Sequence, residues 1–408
     1  MILAEAEDWS RLYGDAFYVF DEPRFVANFT GLLSAFRRFY PATQIAYSYK
    51  TNYTPAVCRR VDRLGGYAEV VSAMEYALAR RIDVHPGRIV YNGPWKSEAS
   101  VREALIAGSM INLDSDRDVA LLQRVAFEER DTRMRVGLRC NFPLEGFADS
   151  RFGFDVEGDS FRAAVAAIRQ IPNVALAGLH CHFPHRELRS FTGRATRIIK
   201  IARQLFEVPP EYISVGGGFY GHMPAAMKAR FTEGVPTFED YAAAVGELFA
   251  SEYGKEEGAP TLFIEPGTAV VADTFSFVAR VIDLKVIRSR RVACLAGSIF
   301  NISPNARSQS LPVTLLHRPS SGATVSVEDS CDLVGYTCIE GDVLSRNVRG
   351  PLAVGDYAVF SNVGSYSVVM KPPFILPNVP IVMRLANGES SLVKKAESYE
   401  YPFENFVF

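Results

Sequence analysis

Between Val26 and about Gly267 the sequence repeats a single unit. A short apolar run gives way to a few polar or glycine residues and then to a helical stretch, eight times over. The apolar runs are Ile45–Tyr47, Tyr67–Val71, Arg88–Tyr91, Met110–Leu113, Arg135–Arg139, Leu176–His182, Tyr212–Val215 and Thr261–Ile264. The stretches between them, such as Pro55–Leu64, Ala73–Arg81, Ser97–Ala107, Ser115–Ala126 and Ser160–Gln170, carry apolar residues at i, i+3, i+4 spacing. Near-continuous apolar runs suit parallel strands buried on both faces. Eight such units in a span of about 240 residues predict a (β/α)8 TIM barrel. A doubly wound open sheet is the alternative, and the uninterrupted run of units favours closure.

The pattern changes after the eighth unit. From Thr274 onward come short β-type runs broken by turn residues: Phe275–Val281, Arg291–Leu295, Ala323–Val327, Tyr357–Phe360 and Ile381–Arg384. We therefore expect a barrel over 26–268 and an all-β C-terminal domain over 269–408. The β-like run Phe17–Phe20 should bring residues 1–25 into that second domain. A chain of 408 residues is long enough for two cores.

A formal net charge of −2, with basic residues scattered, gives no reason to expect nucleic acid or an anionic membrane as partner. No apolar stretch reaches the roughly 18 residues that span a bilayer. The acidic start Met1–Asp8 lacks the features of a signal peptide. The six cysteines show neither CxxC nor metal-site spacing, which suits a reducing, cytoplasmic setting.

Polar residues stand at the C-terminal ends of the expected strands, where barrel enzymes carry their active sites. They are Lys50 after the first, Glu69 in the second, Asn92 after the third, Arg139 at the fifth, and His180 and His182 at the sixth. Gly216-Gly217-Gly218 follows the seventh and Glu265 the eighth. Any one of them could be a satisfied polar residue at a barrel mouth; their convergence argues for a site. A lysine at the end of a buried strand must be paired or covalently used, and a desolvated amine is a nucleophile toward a carbonyl. Glu265 could instead form an ion pair with Arg139. The triple glycine lets backbone N–H groups approach an oxyanion, or it is only a tight bend. His182 could be a core histidine, a metal ligand or a ring stacked on a planar cofactor. His180 and His182 would share a strand face, but no further ligand stands at an evident spacing, so no metal is expected.

These residues carry a likeness. The chain resembles the alanine-racemase-like (fold type III) pyridoxal-phosphate enzymes, and among them the diaminopimelate and ornithine decarboxylase branch. Tyr47-Ser48-Tyr49-Lys50-Thr51-Asn52 resembles the Schiff-base motif, with Lys50 as the attaching lysine. Gly178 to His182 is similar to the segment whose second histidine lies over the cofactor ring. Gly216, Gly217 and Gly218 match the phosphate-binding glycines, and Glu265-Pro266-Gly267 the motif whose glutamate meets the pyridine nitrogen. Ser150 to Gly153 resembles a further barrel motif. Cys338, Gly341 and Asp342 resemble the segment that places a cysteine across a dimer interface, near the carbon that loses CO2. Gly364-Ser365-Tyr366 resembles the motif whose tyrosine contacts the phosphate. The resemblance thus implies pyridoxal 5′-phosphate, a small amino-acid substrate, and a homodimer whose active sites are shared between chains. It implies catalytic roles for Lys50, Cys338 and His182, with Glu69 and Arg139 also beside the cofactor.

Three departures qualify the likeness. The family has Gly-Ser after the His-x-His segment, where this chain has Pro184-His185, and arginine after Glu-Pro-Gly, where it has Thr268. Another donor, His185 or Arg186, must then serve the phosphate. Members acting on cationic diamino acids place an acid after the cysteine, where this chain has Ile339. Glu340, one residue on, would face the other way on an extended segment. On this ground we expect a larger amino-acid conjugate of siderophore or other secondary metabolism as substrate, with diaminopimelate, ornithine or arginine as the alternative. An amino-acid racemase would place arginine where Glu265 stands. A pyridoxal-phosphate-binding regulator typically loses catalytic residues, whereas Lys50, Glu265 and Cys338 are all present here.

Overall fold

The computed structural model describes residues 1–232, 234–302, 311–318 and 329–408. The chain divides into two compact units: residues 26–221 with 235–270, and residues 1–25, 222–234 and 271–408. The run Ala323–Val327 lies outside the described residues.

The first unit is a closed parallel barrel. Its eight strands are Thr43–Ser48, Tyr67–Val70, Ile89–Tyr91, Met110–Leu113, Met134–Asn141, Val174–His180, Tyr212–Ser214 and Thr261–Ile264. Each pairs in parallel with the next, and the eighth pairs with the first through Leu262–Thr43 and Ile264–Ile45. Local signals start the helices. Ser72 and Ser97 cap Ala73–Arg81 and Glu98–Ile106, each accepting from the N–H three residues on. Thr237 and Asp240 form a reciprocal capping box on Phe238–Tyr253.

The barrel interior is filled by side chains rather than open. Ala46, Tyr67, Val90, Met110, Ala177, Tyr212 and Phe263 pack in one cluster. Tyr67 and Tyr212 meet Phe263 edge-on, with ring centroids 4.8 and 5.8 Å apart. Strands five and six contribute Gly137 and Gly178 here, because a Cβ at either would run into the ring or hydroxyl of Tyr212. This apolar floor sets the level at which the polar residues begin.

Two expectations shift at strand ends. The sixth strand stops at His180, so His182 lies in the loop beyond it rather than two along the same strand. Arg88 belongs to a short 3-10 turn that precedes the third strand.

The second unit holds a mixed sheet of nine strands among the described residues. Phe275–Ile287 is its spine, pairing antiparallel with Ala16–Asp21, Arg290–Leu295 and Tyr357–Ser361. Ala16–Asp21 also runs parallel to Ile381–Arg384. Strands Val313–Leu316, Ser330–Val334, Val343–Arg349 and Ser390–Lys394 were not evident as apolar runs, because polar and exposed residues interrupt them. The helix Leu3–Tyr13 was also missed; it buries Trp9 and Ala6 against Phe17, Val278 and Val382.

Candidate active site

Side chains along a strand alternate between faces, so the residue two beyond each floor residue points into the barrel again. Counting two on from Ala46, Tyr67, Val90, Met110, Gly137, Gly178, Tyr212 and Phe263 gives Ser48, Glu69, Asn92, Asn112, Arg139, His180, Ser214 and Glu265, one from each strand or its immediate end. All eight are buried. A polar layer therefore lies on the apolar one, at the C-terminal mouth.

Burial obliges these groups to satisfy one another. Tyr212 donates its hydroxyl to Asn112 Oδ1 at 2.8 Å, and Asn112 Nδ2 donates to Asn92 Oδ1 at 2.8 Å. Asn92 Nδ2 then donates to both Glu69 Oε1 at 3.1 Å and Glu265 Oε1 at 3.2 Å. A chain of amides thus ends on two carboxylates and holds both. Ser214 Oγ adds a 2.8 Å bond to Glu265 Oε1, and His180 Nε2 lies 3.1 Å from Glu265 Oε2. Burial pushes the Glu265 pKa up, but the adjoining His180 more than offsets it, and the carboxyl ends near 2. It is ionised at neutral pH. A carboxylate has about four acceptor positions, and the three bonds here leave one for a further donor.

Lys50 sits on the 3-10 turn Tyr49–Thr51 that follows strand one. Its Nζ donates to Glu69 Oε2 at 2.6 Å and to Ser48 Oγ at 2.7 Å. Ser48 Oγ in turn donates to the same Glu69 oxygen at 2.5 Å. The side chain is 38% exposed, so the amine is anchored yet open to solvent. The turn is seated by Ser48 N–H on Pro266 O, 3.1 Å. Gly267 is required beside it, since a Cβ there would overlap Thr51 Oγ1. Thr268 opens the short helix that follows.

The glycine loop comes next. Gly216 and Gly218 have φ of +71° and +101°, a backbone that other residues rarely adopt. A Cβ on Gly217 would overlap the Glu265 carbonyl. Gly217 N–H donates to His182 Nδ1 at 3.0 Å, which leaves Nε2 as the protonated nitrogen. Burial, then the charges of Lys50 and Arg139, hold the His182 pKa well below its ordinary value, so the ring is neutral. His185 packs its ring on Phe147, centroids 4.3 Å apart, and its Nε2 is buried without a partner. Arg139 bonds Asp114 Oδ1 at 3.1 Å and lies over the Phe152 ring. The alternative ion pair of Arg139 with Glu265 is thereby replaced by one with Asp114. Among the described residues no group of three His, Cys, Asp or Glu side chains could hold a metal ion.

Cys338 and Tyr366 belong to the other unit. Cys338 is exposed, on a loop pinned by Asp342, whose Oδ2 accepts from Thr337 N–H and Oγ1 at 3.1 and 2.6 Å. The segment turns at Glu340 and Gly341 instead of running extended, so strand alternation does not set the direction of Glu340 relative to Ile339. Tyr366 adopts φ +66°, held in a turn where Gly364 N–H bonds Ala272 O at 2.9 Å. A Cβ on Gly364 would overlap Val271 O.

Ser48, Asn112, Ser214, Asp114 and Arg194 escaped the sequence reading. The first three obey the strand alternation and could have been found by counting two residues on. Arg194 lies on the apolar stripe of helix Leu188–Leu205, among Phe191, Ala195 and Ile198.

The donor set suits pyridoxal phosphate: an accessible amine, an ionised buried carboxylate with an acceptor position to spare, a neutral imidazole, and a glycine loop. Residues 26–272 match the family model for the pyridoxal-binding domain of pyridoxal-dependent decarboxylases. Diaminopimelate decarboxylase of Bacillus subtilis is 28% identical over 410 residues, covering 95% of this chain and 90% of that protein. Its counterpart from Aquifex aeolicus is 23% identical over 98% of this chain and 93% of its own length. Among solved structures, diaminopimelate decarboxylase from M. jannaschii in complex with L-lysine superposes with a TM-score of 0.84 at 22% identity, covering 99% and 94% of the two chains. Lysine decarboxylase from Selenomonas ruminantium gives 0.75 at 18%, covering 94% and 96%.

Proposed function

The chain belongs to the pyridoxal-dependent decarboxylases, in the diaminopimelate and ornithine decarboxylase branch, and from that premise we propose that it removes the α-carboxylate of diaminopimelate or a close analogue. Full-length relatives bearing that name support this substrate. None of those named here supports the siderophore or secondary-metabolite role expected from Ile339. One observation keeps a second reading open: Ile339, next to Cys338, is apolar and 42% exposed, a poor partner for a distal ammonium. An amino acid with a bulkier, less cationic distal group is that second reading.

The observation that carries the proposal is the pairing at the barrel mouth of an accessible amine on Glu69 with a separate carboxylate on His180. When bound, pyridoxal phosphate supplies the electron sink for the pair left at the α-carbon as CO2 departs. The protein's part is to bind and orient. Lys50 would hold the aldehyde through Nζ, and Glu69 Oε2 is placed to keep a proton on that nitrogen. Glu265, ionised by its surroundings, would hold a proton on the ring nitrogen. Neutral His182 would lie against the ring, and Arg139 near its phenolic oxygen. Gly216, Gly217, Gly218, His185 and Thr268 would receive the phosphate. Cys338, exposed on its own chain, would return a proton to the α-carbon in a homodimer's partner site.

The test is CO2 release from diaminopimelate, lysine, ornithine, arginine and a conjugated amino acid, with borohydride reduction and peptide mapping. We expect diaminopimelate to be turned over fastest and Lys50 to carry the reduced coenzyme. Turnover of the conjugate alone would select the second reading, and no modification at Lys50 would remove both.

A further inference from the structure

Arg194 is fully buried, and among the described residues no carboxylate lies within ion-pair distance of it. A buried charge with no ion-pair partner in contact, its acidic neighbour Glu187 acting only at longer range, is expensive, so its hydrogen bonds should show what the charge serves. All go to the two loops at the mouth and to its own helix. Nη1 donates to Val215 O at 3.2 Å and Gly217 O at 2.9 Å. Nη2 donates to His185 O at 2.8 Å and Ser190 Oγ at 2.9 Å. The guanidinium fork thus fastens the loop after strand six to the glycine loop after strand seven. Its face rests on Phe191, 3.9 Å from the ring centroid. Burial lowers its pKa only to about 10, so it stays charged at neutral pH.

The consequence follows from peptide geometry. In a trans peptide the C=O and N–H point in opposite directions, and none of the described peptide bonds is cis. Where Gly217 C=O and His185 C=O point at Arg194, the N–H groups of Gly218 and Arg186 point away from it. Neither of those amides has a hydrogen-bond partner among the described residues. The two loops lie close together, since a Cβ on Gly218 would come within 3.3 Å of His185 O. Each carbonyl bonded to a cation polarises its peptide and makes its N–H a stronger donor.

We infer that Arg194 is the positioning residue of an anion cradle. It fixes the Gly218 and Arg186 amides and transmits its charge through both peptides to a phosphate on the other side. The inference rests on the decarboxylase reading, which makes that anion the phosphate of the coenzyme. It also identifies what replaces the serine and arginine that the family likeness implies and this chain lacks. His185 takes part through its backbone carbonyl, and Arg186 through its backbone amide.

The test compares binding of pyridoxal 5′-phosphate with that of pyridoxal, which has no phosphate, in wild type, Arg194→Met and Arg194→Gln. Each is titrated by absorbance after circular dichroism verifies folding. Losing a charge-assisted contribution should weaken the phosphorylated ligand by about tenfold or more and leave pyridoxal almost unchanged. Inorganic phosphate should compete in the wild type and much less in the variants. Equal losses for both ligands, or none, would overturn the role of Arg194, because a merely structural arginine would not distinguish them. A check that needs no variant is amide hydrogen exchange in the wild type. Exchange at Gly218 and Arg186 should slow with pyridoxal 5′-phosphate and not with pyridoxal, and unchanged exchange would likewise overturn the inference. Wild type that binds neither ligand would instead bring down the decarboxylase reading. Wild type that binds, with variants keeping the same preference, would remove only Arg194.

Discussion

Replacing Asn92 by aspartate is nearly isosteric, yet it should make stability depend on pH in a way the parent does not. Asn92 Nδ2 faces Glu69 Oε1 at 3.1 Å and Glu265 Oε1 at 3.2 Å. In Asn92→Asp an oxygen takes that place. If ionised, it would meet the ionised Glu265 carboxylate with a repulsion of about 5 kcal/mol at an effective dielectric of about 20. That far exceeds the roughly 1.4 kcal/mol that holds a proton per pH unit. The new carboxyl therefore keeps its proton in the folded state, and its folded pKa rises well above the unfolded value of about 3.9. The sign follows from linkage. Above pH 3.9 the unfolded chain releases this proton and the folded chain retains it, so stability falls as pH rises toward the folded pKa. Relative to wild type the variant should lose about 1.4 kcal/mol per pH unit, or roughly 2.7 kcal/mol between pH 5 and 7. A constant loss of about 1–3 kcal/mol adds to this, because one proton cannot serve two carboxylates. Urea denaturation of both proteins at several pH values, followed by circular dichroism, measures the difference. Parallel stability curves from pH 5 to 8 would refute the claim that Asn92 donates to both Glu69 and Glu265.

Other substitutions probe other parts of the site and of its frame. Gly217→Ala sets a Cβ against the Glu265 carbonyl and should lower the thermal midpoint and coenzyme retention. Gly31→Ala, exposed on helix Glu22–Phe39 with open space around it, should be neutral or raise stability by about 0.5–1 kcal/mol; the reverse order in a melting assay would refute the geometry. His180→Ala removes the group that holds Glu265 near pKa 2 against its ordinary 4.5. A depressed carboxyl stabilises the fold above its unfolded pKa and loses that as pH falls, so acid unfolding of this variant should begin at higher pH than in wild type. An unshifted acid midpoint would count against the His180–Glu265 contact. Finally, mixing Lys50→Ala chains with Cys338→Ala chains should restore part of the decarboxylase activity if the sites are shared, and a verified heterodimer without activity would exclude sharing.

The barrel was legible because its signal is redundant: eight apolar runs of similar length, each followed by a helical period, survive errors of a residue or two at their ends. The second unit was less legible. Strands such as Val343–Arg349 are half-exposed, and an exposed strand has neither the apolar run nor the clean alternation that marks a buried one. Glu340 shows the same weakness at the scale of one residue. Strand alternation sets Glu340 opposite Ile339 only on an extended chain, while Asp342 folds the segment into a turn from a position the alternation rule does not consult.

Within the site the difference between what could and could not be read is physical. Ser48, Asn112 and Ser214 are small or amide side chains that look ordinary in sequence. Their importance comes from standing one period above an apolar floor, a relation visible only once the floor residues are known. Arg194 is the opposite case. An arginine among Phe191, Ala195 and Ile198 is conspicuous by its cost, but helical period alone could not say whether it reaches solvent, an acid or a loop. The four oxygens it bonds decide the matter. Three of them are backbone carbonyls, and backbone carries no residue code. The cradle is therefore built largely from peptide groups whose directions are set by one side chain, and its chemistry can persist while the residues around it change. That is why the absence of a serine at position 185 and an arginine at position 268 is compatible with phosphate binding in this fold.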